Sequence, residues 1–128
     1  MPSVTVTARG PLLEGKGPGA IKEAIHEAVK DVTAEGERRV KLQLHSGHGV
    51  LTGHYRRSIH GEMQNSMHGR IHDSKVVYGP WLEGISSRNA KSRFKGYAMF
   101  RNAKQQLEKL KAGIVNNRIA QAVRRLGG

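Results

Sequence analysis

The chain has 128 residues, with 22 Lys+Arg against 10 Asp+Glu and no cysteine, for a formal net charge of +12. At about 100–200 residues per domain this is one domain, long enough to bury a core without metal or disulfide staples. The absence of cysteine excludes disulfides, thiol nucleophiles and Cys-ligated zinc or iron–sulfur centres, and no apolar run approaches the ~20 residues of a membrane-spanning helix.

Residues 3–8 alternate β-branched and other side chains and predict a short strand with Val4 and Val6 on one face. Gly10-Pro11 stops it, and the glycines at 15, 17 and 19 are loop chemistry. From Ala20 the apolar residues Ile21, Ala24, Ile25, Ala28, Val29, Val32 and Val40 recur at three- to four-residue steps. That period predicts an amphipathic helix, with Gly36 marking a bend or a close approach. Residues 52–60 are ambiguous between a helical turn and a strand, and Glu62–His72 reads as an exposed hairpin or loop. A short strand is expected at Lys75–Tyr78, ended by Gly79-Pro80, and an aperiodic basic loop from Gly84 to Lys95. The last element is a helix carrying Met99, Phe100, Ala103, Leu107, Leu110, Ile114 and Ile119, with Gly113 and Asn116-Asn117 as points where it divides.

The charge is graded along the chain. Residues 1–40 hold six basic and six acidic side chains, whereas residues 101–128 hold seven basic and one acidic. Blocks of five or more like charges, typical of a solvated basic arm, are absent, so the pattern predicts a folded surface with a positive face.

Seven histidines raise the question of metal or nuclease chemistry. His45-x-x-His48 offers two ligands, but residues 45–75 supply only Glu62 and Asp73 as acids and no zinc spacing is complete. Histidines scattered over the surface are the plainer reading, and a His-dependent nuclease using His45 or His48 ranks third among the functions considered. The glycines at 15, 17 and 19 lack both the acid of a dinucleotide fingerprint and the Gly-Lys-Ser/Thr of a P-loop. No cofactor is expected. Nucleic-acid binding is the stronger charge-based reading. Arg88, Lys91, Arg93 and Lys95 cluster around Phe94, and Lys109, Lys111, Arg118, Arg124 and Arg125 follow on the last helix. These residues suit contact with acidic partners or with a DNA backbone, without base-specific readout.

Three stretches carry a more specific pattern. The first is Thr52-Gly53-His54-Tyr55-Arg56-Arg57-Ser58-Ile59, in which Thr52 suits a cap, Gly53 a tight backbone, and Tyr55 and Ile59 one apolar face. The second runs through Tyr78, Trp81 and Glu83, with Arg88, Arg93 or a neighbouring subunit's arginine as the expected partner of Glu83. The third is Phe100-Arg101-Asn102-Ala103 at the start of the last helix. In order and spacing they resemble the tail-completion, or neck, proteins of long-tailed bacteriophages, the family named after gene product ten of a lambdoid phage. The matching positions are Thr52, Gly53, Ser58 and Ile59, with Tyr55 in a leucine place; Tyr78, Trp81 and Glu83; and Phe100, Arg101 and Ala103. The chain departs from the pattern at Gly79, at Gly84-Ile85-Ser86-Ser87, and at Arg93-Phe94-Lys95-Gly96-Tyr97, which replaces a proline-rich loop.

The resemblance implies an α+β fold, with an antiparallel sheet and the long N-terminal and C-terminal helices packed on one face. It divides the single domain 1–128 into a strand and arm (1–19), a helix (20–44), a sheet region (50–83), a basic loop (84–97) and a helix (98–126). The N-terminal strand is available for exchange with a neighbour. The function implied is structural: a homo-oligomeric ring, typically hexameric, at the head-proximal end of the tail. Its partners would be a tail terminator or tail tube protein, a head-side connector or stopper protein, and genomic DNA in the channel. The family has no catalytic residues, cofactor or membrane role to transfer, and its members reside in the virion after assembly in the host cytoplasm. The alternative is a non-specific basic nucleic-acid-binding module.

Overall fold

The computed structural model describes residues 2–8, 19–44 and 50–127. The glycine loop before residue 19 and the His45-x-x-His48 pair lie outside the described residues. In chain order the elements are β1 (Ser3–Thr7), α1 (Gly19–Leu42), α2 (Val50–Arg57), β2 (His60–Asn65), β3 (His68–His72), α3 (Gly79–Glu83), α4 (Ser87–Ala90) and α5 (Met99–Gly127). The class is α+β, with α1 and α5 packed against an antiparallel sheet of order β1-β3-β2.

Strand alternation assigns each side chain its face. Val4 pairs with Ile71 and Val6 with Gly69, while Gly61 and Met63 meet the same two β3 residues from the other side. This face is covered by α1. Gly36 is the point of closest approach, because a Cβ there would lie 2.6 Å from Ile71 Cδ1 and 3.0 Å from Leu107 Cδ1. One glycine thus lets α1, the central strand and α5 converge, which resolves the choice between a bend and close packing in favour of packing. The opposite face is polar and gathers His60, Glu62, His68, Arg70 and His72 by the same alternation. His72 Nε2 lies 3.0 Å from Glu62 Oε1, and its Nδ1 accepts the Ser74 N–H at 3.0 Å.

Several expectations are corrected. The ambiguous segment 52–60 divides into helix α2 and the start of β2, so Thr52 and Gly53 lie inside a helix. The 62–72 segment is a hairpin, but β3 is the central strand with Gly69 and Ile71 buried, not an exposed loop. Lys75–Tyr78 is a turn and not a strand. Ser74 and Lys75 have φ of 61° and 60°, which break the extended path, and Asp73 Oδ1 accepts the Lys75 N–H at 3.0 Å. The 84–95 segment contains the short helix α4. Strand β1 pairs with β3 of its own chain from Ser3↔His72 to Thr7↔His68.

Helix α5 runs unbroken for 29 residues through Gly113 and Asn116-Asn117. Propensity costs of about 1 kcal/mol at a glycine are outweighed by packing, because α5 lies antiparallel along α1. Met99, Phe100, Ala103 and Leu107 are buried, Leu110, Ile114 and Ile119 are half-buried, and Ala122 is buried near the far end. Arg118 fixes the pairing by a two-point bond to Asp31, with Nε–Oδ2 at 2.6 Å and Nη2–Oδ1 at 3.1 Å. Among the periodic apolar residues of the two long helices, Leu107 is buried, whereas Ile21 and Ile25 are only half-buried.

Candidate interaction surface

Tyr55 and Ile59 are both fully buried, and Tyr55 O–H donates to Asp73 Oδ2 at 2.7 Å. Burial, and then this bond, push the Tyr55 phenol far above its usual range, so it stays a donor. Asp73, whose side chain is buried, thereby joins α2 to the turn before α3. Tyr78 packs its ring against Tyr55, with centroids 5.9 Å apart, and its hydroxyl is buried without a partner among the described residues. Gly79 follows at close quarters, since a Cβ there would overlap Asp73 Oδ2 and approach Tyr55 Oη at 3.2 Å. We expect Tyr55→Phe to lower stability by about 2 kcal/mol, through loss of a buried donor to a carboxyl. Urea unfolding of the variant beside the parent protein reads it directly.

Glu83 is placed differently from expectation. It meets neither Arg88 nor Arg93. Its carboxylate caps α5 across the fold, with Oε1 accepting Phe100 N–H at 2.8 Å and Oε2 accepting Arg101 N–H at 3.1 Å. The positive end of the helix favours an anion there. Burial pushes the Glu83 carboxyl above the ordinary glutamate range, against the pull of those two amides and of Arg101. Phe100 is buried in the core beneath this cap and Arg101 is exposed. The second and third sequence stretches therefore meet at one carboxylate.

Between them, residues 84–97 form a closed loop. Tyr97 N–H donates to Leu82 O at 2.6 Å and Ala98 N–H to Glu83 O at 3.2 Å. Gly84 and Gly96 have φ of 99° and 92°, and the two backbones touch there with no room for a Cβ. Inside the loop, Ser86 Oγ accepts Arg88 N–H and Asn89 Oδ1 accepts Ser86 N–H, giving α4 a reciprocal cap. Buried Asn89 then donates to Trp81 O at 3.0 Å and Phe94 O at 3.1 Å. Trp81, Phe94 and Tyr97 form an aromatic row with centroids 5.1 and 5.0 Å apart. Asn89 was not singled out in the sequence, and Gly84 and Gly96 were named only within stretches that depart from the family pattern. The Ser86-x-x-Asn89 spacing was the available signal for the cap.

The basic residues do not share one role. Arg88, Lys91 and Arg93 are exposed and make no side-chain hydrogen bond or ion pair among the described residues. Lys95 is exposed, but its Nζ donates to Asn89 O at 3.0 Å. On α5, Lys109 is exposed, Lys111 pairs with Glu108 at 2.6 Å, and Arg118 is taken by Asp31. Arg124 is exposed near the C-terminal end, with its Nε 3.4 Å from Ala120 O. Arg125, also exposed, stands beside Glu23 and Glu27 of α1. At 1.5 Å per residue, Arg124 lies about 37 Å along the helix from Met99. The cations grouped in the sequence are therefore two sets, one on the closed loop and one spread along α5 from Lys109 to Arg125.

Among the described residues no three or more His, Asp or Glu side chains are placed to hold a metal ion, and no helix is long and apolar enough to cross a membrane. The site is a rigid frame presenting free guanidinium and ammonium groups beside aromatic rings. Ser58 and the sheet complete that frame, since Ser74 Oγ donates to Ser58 O at 2.8 Å. No family model, no curated protein and no solved structure matches this chain.

Proposed function

We propose that this chain is a structural subunit of a phage neck. In this reading it forms a ring at the head-proximal end of the tail, completes the tail and joins it to the head connector around the DNA channel. The observation that carries the reading is the convergence of the three motif stretches. Tyr55 and Tyr78 pack ring against ring, Phe100 lies in the same core, and Glu83 caps the helix start at Phe100, so the three stretches together hold the ends of the 84–97 loop. Buried tyrosines and carboxyls that bond to each other or cap a helix fix geometry. The groups left at the surface, Arg88, Lys91 and Arg93, are suited to contact with acidic neighbours. Partners of that chemistry in a neck are the tail terminator or tube protein, the head-side connector and the DNA in the channel.

Disrupting the gene in a phage that carries it should leave filled heads and separate tails, with joining restored by the intact gene. Normal infectious particles from the disrupted phage would overturn the reading. The second reading, a non-specific nucleic-acid-binding module, is favoured by the same three free cations. It requires the isolated chain to bind duplex DNA with a steep salt dependence. A neck subunit needs no such affinity as a monomer.

A further inference from the structure

We propose that the groove between the Val76–Gly79 turn, α3 and α4 docks an acidic protein segment carrying a large apolar side chain. The groove has a volume of about 650 Å³ and is lined by Val77, Tyr78, Pro80, Trp81 and Arg88, among others. Val77 is 95% exposed, held out by a turn that Gly79 N–H closes onto Val76 O at 3.0 Å. Ile85, next to the lining residue Ser86, is 58% exposed. Exposed aliphatic groups beside a tryptophan and an arginine are the composition of a protein-docking centre, where Trp, Tyr and Arg dominate binding energy.

Charge identifies the occupant. From Gly84 to Leu107 the chain has six Lys and Arg and no Asp or Glu. The one acid at this edge, Glu83, is turned inward onto the amides of Phe100 and Arg101. Among the lining residues the one charged group is the Arg88 guanidinium, so the groove favours an acidic partner over a second copy of itself. Protein is favoured over nucleic acid because Val77 and Ile85 add nothing to phosphate contact, and the Trp81 ring is already engaged by Phe94. The proposal rests on reading the chain as an interface protein and names the partner chemistry of that interface.

The only tryptophan of the chain lies in the groove, so its emission reports occupancy. A random dodecapeptide display library is the probe, selected against the full-length protein. The expected outcome is enrichment of peptides with an excess of Asp and Glu around one or two Leu, Ile or aromatic residues. The dominant synthetic peptide should shift Trp81 emission, and Val77→Asp and Arg88→Glu should each weaken it about tenfold at unchanged melting temperature. Both residues are exposed, so the variants should fold normally. No enrichment, enrichment without acidic excess, or binding indifferent to both substitutions would overturn the proposal. So would an oligothymidylate that shifts Trp81 emission more strongly than the peptide, or self-association abolished by Val77→Asp. Ring formation by the parent protein is scored separately by sedimentation, so a failed groove does not count against the neck reading.

Discussion

Replacing Glu83 with alanine is expected to lower stability by about 3 kcal/mol. The carboxylate accepts the Phe100 and Arg101 amides at 2.8 and 3.1 Å, and the first of these bonds is buried. Alanine removes both acceptors and leaves the start of α5 without its cap, where water has little access to replace them. Hydrogen bonds to charged groups contribute about 1.5–3 kcal/mol each when buried, and an ordinary cap about 1 kcal/mol. Glu83→Gln keeps one acceptor oxygen and should lose about half as much. Chemical denaturation reads the loss, and amide exchange at Phe100 and Arg101 locates it. Because Ala98 N–H also bonds to Glu83 O, the basic loop should exchange faster in the alanine variant.

The second large effect is expected at Gly96. A Cβ there would lie 2.6 Å from the Glu83 carbonyl carbon and closer still to Gly84 N and Cα. These are backbone atoms and cannot rotate away. The φ of 92° adds a conformational cost of about 1–2 kcal/mol for any other L-residue, and forced overpacking a further 1–3 kcal/mol. Gly96→Ala should therefore cost about 3 kcal/mol and open the loop at its neck. Gly113→Ala is the control of opposite sign. Nothing lies within 4 Å of its Cβ position in α5, so alanine should stabilise by about 1 kcal/mol. The two variants separate glycine needed for close approach from glycine merely tolerated in a helix.

Much of the architecture was legible because periodicity reports which face is covered. The i, i+3, i+4 pattern of Ile21–Val40 located α1, and alternation located β1, since each buries one side only. The failures have physical reasons. Val76, Val77 and Tyr78 have strand-forming side chains, but the Asp73 side chain bonds to the Lys75 amide and turns the chain first. The apparent breaks in α5 are overridden by its contact with α1. Central strand β3 was read as exposed because His68, Gly69 and Arg70 look like surface residues. Gly69 is buried because Thr33 of α1 occupies the place a side chain would take. At the candidate site, the sequence identified Tyr55, Tyr78 and Glu83 but misplaced Glu83's partner. A carboxylate among arginines invites an ion pair, and only the three-dimensional path of residues 84–97 brings it to a helix end instead. Asn89 and the Gly84–Gly96 contact depend on that same path. The proposed likeness to neck proteins rests on the order of its motifs in the sequence.

The central claim, a ring-forming structural subunit, is most directly tested by electron microscopy of the purified full-length protein at physiological salt. The account predicts closed rings of uniform copy number with an open central channel. A population that stays monomeric at every concentration, and that binds duplex DNA with a steep salt dependence, would contradict it.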